Sequence, residues 1–255
     1  MRGQPPMSAD AVVLRAIPYG EADVIATVYA RGLGKLSALA RGARSKKRRF
    51  GPALELCTVS TMALRSRPQS ELWTLAGAEV RESFAALAGD VAAFAHASYA
   101  IEITRELCPP EQPDDAIFDL LVDLYRFLAK DGADPVRLRA FELILLGLLG
   151  LAPAIAVCAA CARPLSPAAA TFDPARGGLL CTNCRGLAAA SSTVTLSAEA
   201  VAFLFHVGND ASLAAVPALA GAAHDEVRGL LVNLMLHHIG HPLKSLDFIA
   251  KVNRW

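Results

Sequence analysis

The chain has 255 residues, 54% of them apolar, and a formal net charge of +1. That length admits two domains or one large one, and that apolar content excludes disorder as the default state. Residues 1–82 carry thirteen Lys/Arg against seven Asp/Glu, a net of +6, while residues 83–255 carry twelve against seventeen, a net of −5. Opposite signs on the two parts suit different partners.

The first part reads as strands. Segments 11–17 (AVVLRAI), 23–30 (DVIATVYA), 34–41 (GKLSALAR), 54–64 (LELCTVSTMAL) and 71–80 (ELWTLAGAEV) are rich in Val, Leu, Thr or aromatic residues. Turn signals separate them at Pro18-Tyr19-Gly20, Gly32-Leu33-Gly34 and Arg67-Pro68-Gln69-Ser70. Short strands at about ten-residue spacing predict a small closed barrel, because βαβ units would need helices between the strands. Five strands with a longer connection after the third is the OB-fold count, although an SH3-like barrel would space its strands similarly.

That connection carries Arg41, Arg44, Lys46, Lys47, Arg48 and Arg49, six cations within nine residues. With Lys35 on the preceding strand they form the candidate nucleic-acid-contacting set. Clustered Lys and Arg on a loop suit a phosphate backbone, whose charge can be met without base-specific geometry. A solvated charged loop is the plain alternative, since charge runs usually are just that. Against it stands the self-repulsion of such a density on a small barrel that lacks an anionic partner. Tyr19, Phe50 and Trp73 also lie nearby in sequence and could stack on bases, although core packing accounts for each taken singly. Nothing resembles a recognition helix, so the binding expected is sequence-tolerant.

From Ser83 the texture becomes helical. A segment over 84–107 stops at Cys108-Pro109-Pro110. A second, over 115–130, places Ile117, Leu120, Leu121, Leu124, Phe127 and Leu128 on one stripe and ends at Asp131-Gly132. Asp134 caps a third helix with Pro135 at its first position. The uncharged run 143–162 is long enough to cross a bilayer, but Pro153 divides it and Arg137, Arg139 and Glu142 precede it; a buried helix ending at Gly150 and Pro153 fits better. Further helices follow over 199–207, capped by Ser197, and 223–239, with a short one in the tail KSLDFIAKVNRW. The opening MRGQPPMSAD has no apolar core of a signal peptide, which points to a cytoplasmic protein with no membrane partner.

Cysteines interrupt the helical part at about 154–190. Cys158-Ala-Ala-Cys161 and Cys181-Thr-Asn-Cys184 are separated by nineteen residues, the spacing of a four-thiolate zinc site. A two-residue gap lets one tight turn aim both sulfurs at a single ion, and four thiolates close a tetrahedral shell. Such a site is structural, because a closed shell leaves no position for an activated water. Cys57 and Cys108 read as ordinary buried thiols. No GxxxxGK[ST], GxSxG or HExxH pattern is present, so no enzyme is expected. His237 and His241 stand four apart, but Gly240 and Pro242 break their helix.

Taken in order, Tyr19-Gly20-Glu21-x-Asp23, Gly34-Lys35, Gly42-Ala43-Arg44, Arg49-Phe50 and Leu72-Trp73-Thr74-Leu75 resemble the bacterial DNA repair and recombination proteins of the RecO family. Ser98-Tyr99 with Glu102, Phe141-Glu142 with Leu145-Leu146, Cys158-x-x-Cys161 and Leu243-Lys244-Ser245 extend the likeness over nearly the whole chain. The resemblance implies an α+β multidomain protein: an N-terminal five-stranded OB-fold barrel over 1–82, then a helical domain over 83–255 with an inserted zinc ribbon. It also implies binding to single- and double-stranded DNA, annealing of complementary strands, and help in loading the RecA recombinase onto DNA coated by single-strand-binding protein (SSB). The partners it implies are RecR and the acidic tail of SSB. By position, Arg44, Lys47 and Arg49 match the family's basic loop and the four cysteines its zinc ligands. Arg48 stands where a serine is common and Leu56 where a proline is common; some members lack the cysteines, and no motif marks the SSB-tail pocket. Two rival classes are a zinc-dependent hydrolase or nuclease, for which no open ligand cluster is visible, and a zinc-ribbon transcription or translation factor, which the long helical body fits poorly.

Overall fold

The computed structural model describes residues 5–45, 49–67, 69–187 and 193–252. It divides into two compact units: residues to Ala133 together with the segment from Lys244, and Asp134–Leu243.

The first unit opens with β1 (Met7–Tyr19), β2 (Asp23–Ala30), β3 (Gly34–Ala40), β4 (Thr58–Arg67) and β5 (Ser70–Ser83). They close into a barrel in the order β1-β2-β3-β5-β4. All pairings are antiparallel except β3 with β5, which run parallel from Ser37 opposite Leu72 to Leu39 opposite Thr74. This is the OB order expected from the strand count. Alternation places Ala26, Val28 and Ala30 of β2 and Leu36, Ala38 and Ala40 of β3 inside, against Met62, Leu64, Leu75 and Trp73.

Several boundaries differ from the sequence-based ones, β1 running over Met7–Tyr19 and β5 over Ser70–Ser83 instead of 11–17 and 71–80, and two of the differences have a local cause. The fourth strand begins at Thr58 rather than 54, because Gly51–Leu54 forms a 3-10 turn and Cys57 takes a left-handed conformation, φ 55°. The first helix begins at Val91 rather than 84: a 3-10 turn occupies Ala85–Gly89, and Asp90 then caps α1 (Val91–Leu107), its carboxylate accepting from the amides of Ala92 and Ala93. Next, α2 (Asp115–Asp131) is capped by Asp114 and stopped by Gly132.

The α1–α2 linker lies along the barrel. Glu111 donates its amide to the Lys35 carbonyl at 2.8 Å, and Tyr29 donates its hydroxyl to the Asp114 carbonyl at 3.0 Å. The Trp73 indole donates to Glu111 at 2.7 Å. Gly34, at φ +73°, comes so close that a Cβ there would meet the Gln112 carbonyl oxygen at 2.5 Å. The closing helix of the chain belongs to this unit, where Glu102 of α1 accepts from both the amide and the hydroxyl of Ser245.

The second unit starts with α3 (Pro135–Leu148), which has the Asp134 cap and the proline first residue expected. A small sheet of β6 (Ala170–Asp173), β7 (Gly178–Leu180) and β8 (Val194–Leu196) follows, in the order β7-β6-β8. Then come α4 (Ala198–Asn209), capped by Ser197, and α5 (Gly221–Ile239), ended by Gly240 in the left-handed conformation. The last helix of the chain, α6 (Lys244–Val252), returns to the first unit. No helix among the described residues is long and apolar enough to cross a membrane.

Candidate metal centre and nucleic-acid interface

The two cysteine knuckles meet. One Sγ from each of Cys158, Cys161, Cys181 and Cys184 lies within 4.8 Å of all the others. Backbone turns aim them: the Ala162 amide returns to the Cys158 carbonyl, with Ala162 at φ 58°, and the Cys184 and Arg185 amides both return to the Cys181 carbonyl. The first knuckle is held to β7 by hydrogen bonds from Ala159 to Leu179 and from Leu179 to Ala154, each 2.8 Å. Only a glycine fits at Gly178, where a Cβ would fall 2.7 Å from Ala154.

The sulfur geometry is that of a metal shell and not of disulfides. Cys161 and Cys181 sulfurs stand 3.8 Å apart, far beyond a bonded pair at about 2.05 Å. The edge of a thiolate tetrahedron around zinc, with bonds of about 2.3 Å, is about 3.8 Å. Electrostatics point the same way. Burial opposes the charged form of Cys158, but amides of Cys181, Ala160 and Cys161 donate to its sulfur and draw its pKa down to about 6. Hydrogen bonding to the Cys181 and Cys161 sulfurs, with burial added, pushes Cys184 up to about 12. Four sulfurs this close hold all their negative charge only around a cation. The cluster therefore fits zinc binding. Among the described residues it is the one group of three or more His, Cys, Asp or Glu side chains gathered as metal ligands are.

The basic run leaves the end of β3. Lys46, Lys47 and Arg48 lie outside the described residues. Arg41 and Arg44 are exposed in a turn fastened to the β1–β2 hairpin: the Gly42 amide donates to the Asp23 carboxylate and the Arg44 amide to the Ala22 carbonyl, both at 2.8 Å. Arg49 is exposed as well, donating to the Ala76 carbonyl at 2.7 Å with its guanidinium over the Phe50 ring. Among the described residues none of these three arginines pairs with a carboxylate. Lys35 is placed differently. Its ammonium turns inward to the Arg105 carbonyl at the C-terminal end of α1, and half-burial lowers its pKa.

The three aromatics separate. Phe50 and Trp73 are core residues of the barrel, whereas Tyr19 is exposed at the hairpin tip. Sequence reasoning missed Arg65 and Arg67. In the fold Arg65 stands opposite Thr74, Arg67 donates to the Thr74 hydroxyl, and Thr74 is itself paired with Leu39, next to the basic turn. Only the pairing of β3 with β5 makes these cations neighbours, and no local pattern announces it.

An OB-like barrel, a helical part and an inserted four-cysteine cluster define a multidomain OB-fold protein whose ribbon gathers its thiols as metal ligands are gathered. Family models for the N-terminal part of recombination protein O (RecO) match residues 3–84, and those for its C-terminal part match residues 88–247. The chain is 40% identical to the DNA repair protein RecO of Anaeromyxobacter dehalogenans, over 94% of both chains. It is 36% identical to that of Myxococcus xanthus over 95% of this chain and 96% of the other. For Geobacter sulfurreducens the identity is 33%, over 97% and 98%. The chain belongs to the RecO family of DNA repair and recombination proteins.

Proposed function

We propose that this protein is a recombination mediator that binds single- and double-stranded DNA with the basic end of its barrel, anneals complementary strands, and helps RecR load RecA onto SSB-coated DNA. The observation that carries the reading is the set of exposed arginines, Arg41 and Arg44 on a turn fastened to the hairpin and Arg49 held to the Ala76 carbonyl, none of them paired with a carboxylate among the described residues. Unneutralised cations on a rigid scaffold meet phosphates with little ordering cost, and two strands that repel each other meet faster on a surface that screens both. Lys46, Lys47 and Arg48 add charge to the same connection. Lys35 supports the site from behind by anchoring β3 to α1.

Cys158, Cys161, Cys181 and Cys184 would hold one zinc ion. Bound there, zinc supplies folding energy to the ribbon; four protein ligands leave it no open position for activating water. The protein acts in the cytoplasm, without nucleotide hydrolysis and without cutting DNA. It is recruited to coated strands by the acidic tail of SSB, which raises its local concentration there.

The test is salt dependence. Six cations on a single strand give a slope of log K against log salt of about −4. Replacing Arg41, Arg44, Lys46, Lys47, Arg48 and Arg49 by alanine should remove most of that slope and weaken binding similarly on unrelated sequences. An unchanged slope would place the DNA site elsewhere.

A further inference from the structure

The tip of the β1–β2 hairpin stands apart from the barrel that supports it. β1 pairs with β4 only from Met7 to Val12, and its register with β2 shifts between Val13 and Arg15. Beyond that irregularity β1 runs on to Tyr19 with β2 as its one strand partner among the described residues. Residues from Arg15 to Gly20 are all exposed. Ile17 and Tyr19, two apart and so on one face of the strand, are 38% and 55% exposed.

This apolar tip adjoins the basic turn. Tyr19 is the register partner of Asp23, whose carboxylate accepts from Gly42, while Ala22 accepts from Arg44. The tip and the cationic turn are therefore one hydrogen-bonded body. Their charges differ: Arg41 and Arg44 on the turn attract phosphate, whereas the tip adds Glu21, which repels it. A ligand held by its backbone on the turn would present something uncharged to Tyr19. Strand addition by a protein partner suits this edge poorly, because Pro18 has no amide to give.

We propose that Tyr19 is a stacking platform for an unpaired base, so that this end of the barrel binds single-stranded DNA more tightly than duplex. The inference rests on the basic turn binding DNA. Bases of a duplex are already stacked and cannot reach the ring, so only a single strand gains from it. Ile17 extends the platform along the strand.

The experiment uses the full-length protein and two fluorescent probes: a single-stranded oligonucleotide containing 2-aminopurine, and its duplex. Tyr19→Leu should weaken single-strand binding by about 5- to 150-fold, the range spanned by one base stacked on an aromatic ring. Quenching of the 2-aminopurine should fall with it, duplex affinity should hold within about twofold, and Tyr19→Phe should restore both single-strand readouts. The Arg41→Ala, Arg44→Ala double variant should weaken single strands and duplex alike. If Tyr19→Leu binds single strands as the wild type does, or loses equally on both probes, the platform is refuted while the arginine result keeps the DNA interface. If the wild type shows no salt-dependent binding to either probe, the interface itself is refuted and the platform with it.

Discussion

Gly32 and Gly34 bracket one turn between β2 and β3, and they offer a matched pair of perturbations. Both have left-handed backbone conformations, φ +72° and +73°. A Cβ at Gly32 would meet nothing within 4 Å, whereas at Gly34 it would lie 2.5 Å from the carbonyl oxygen and 2.6 Å from the carbonyl carbon of Gln112. Gly32→Ala should therefore cost only the conformational term, about 1–2 kcal/mol. Gly34→Ala carries the same term and must also push a backbone aside, an overpacking cost of about 1–3 kcal/mol. The difference isolates the close approach of the α1–α2 linker to the barrel. Urea unfolding followed by tryptophan emission measures both variants, in a Trp255→Phe background so that Trp73 reports alone. Because Trp73 donates to Glu111 in that linker, Gly34→Ala should also shift the native emission and Gly32→Ala should not. Equal losses in the two variants would refute the reasoning.

Purified protein should contain one zinc per chain, and Cys181→Ala should lose it together with amide-exchange protection in the ribbon but not in the barrel; stoichiometric zinc without the four thiols would contradict the assignment. After chelation, iodoacetamide should modify Cys158, Cys161, Cys181 and Cys184 together and ahead of the buried Cys57 and Cys108. Burial pushes both Cys57 and Cys108 up to about 12, so they should react only on unfolding. His224 is held below its ordinary 6.5, by burial first and then by the Arg139 cation. The unfolded chain therefore binds the extra proton, and the stability His224 contributes is present above about pH 6.5 and lost as pH falls through its lower folded value. His224→Gln should flatten the pH dependence of the urea midpoint over that window, and an unchanged profile would remove His224 as its source.

What sequence could show was local. β2 ends where it was expected to, because its alternation is bounded by turn residues on both sides, and the Asp134-Pro135 and Ser197 caps announce helices by chemistry that acts within one turn. Both C-x-x-C knuckles carry their geometry in their spacing. The remainder depends on contacts between distant residues. That Phe50 and Trp73 turn inward while Tyr19 turns out follows from barrel closure, which three aromatics in a row of strands do not encode. Lys35 resembled its basic neighbours in composition, yet its strand position delivers the ammonium to a helix C-terminus seventy residues away. The union of α6 with the barrel unit includes the pairing of Glu102 with Ser245, residues far apart in the chain that no local pattern links.

The proposed function has this chain anneal and deliver DNA through its basic barrel end, recruited by SSB. Annealing of complementary SSB-coated strands, measured without nucleotide for the wild type, for the alanine-substituted basic loop, and with SSB lacking its acidic tail, tests it most directly. The account requires wild-type stimulation, its collapse in the loop variant, and a sharp drop on tail deletion that spares bare strands. Stimulation that survives loss of the loop charges would contradict it.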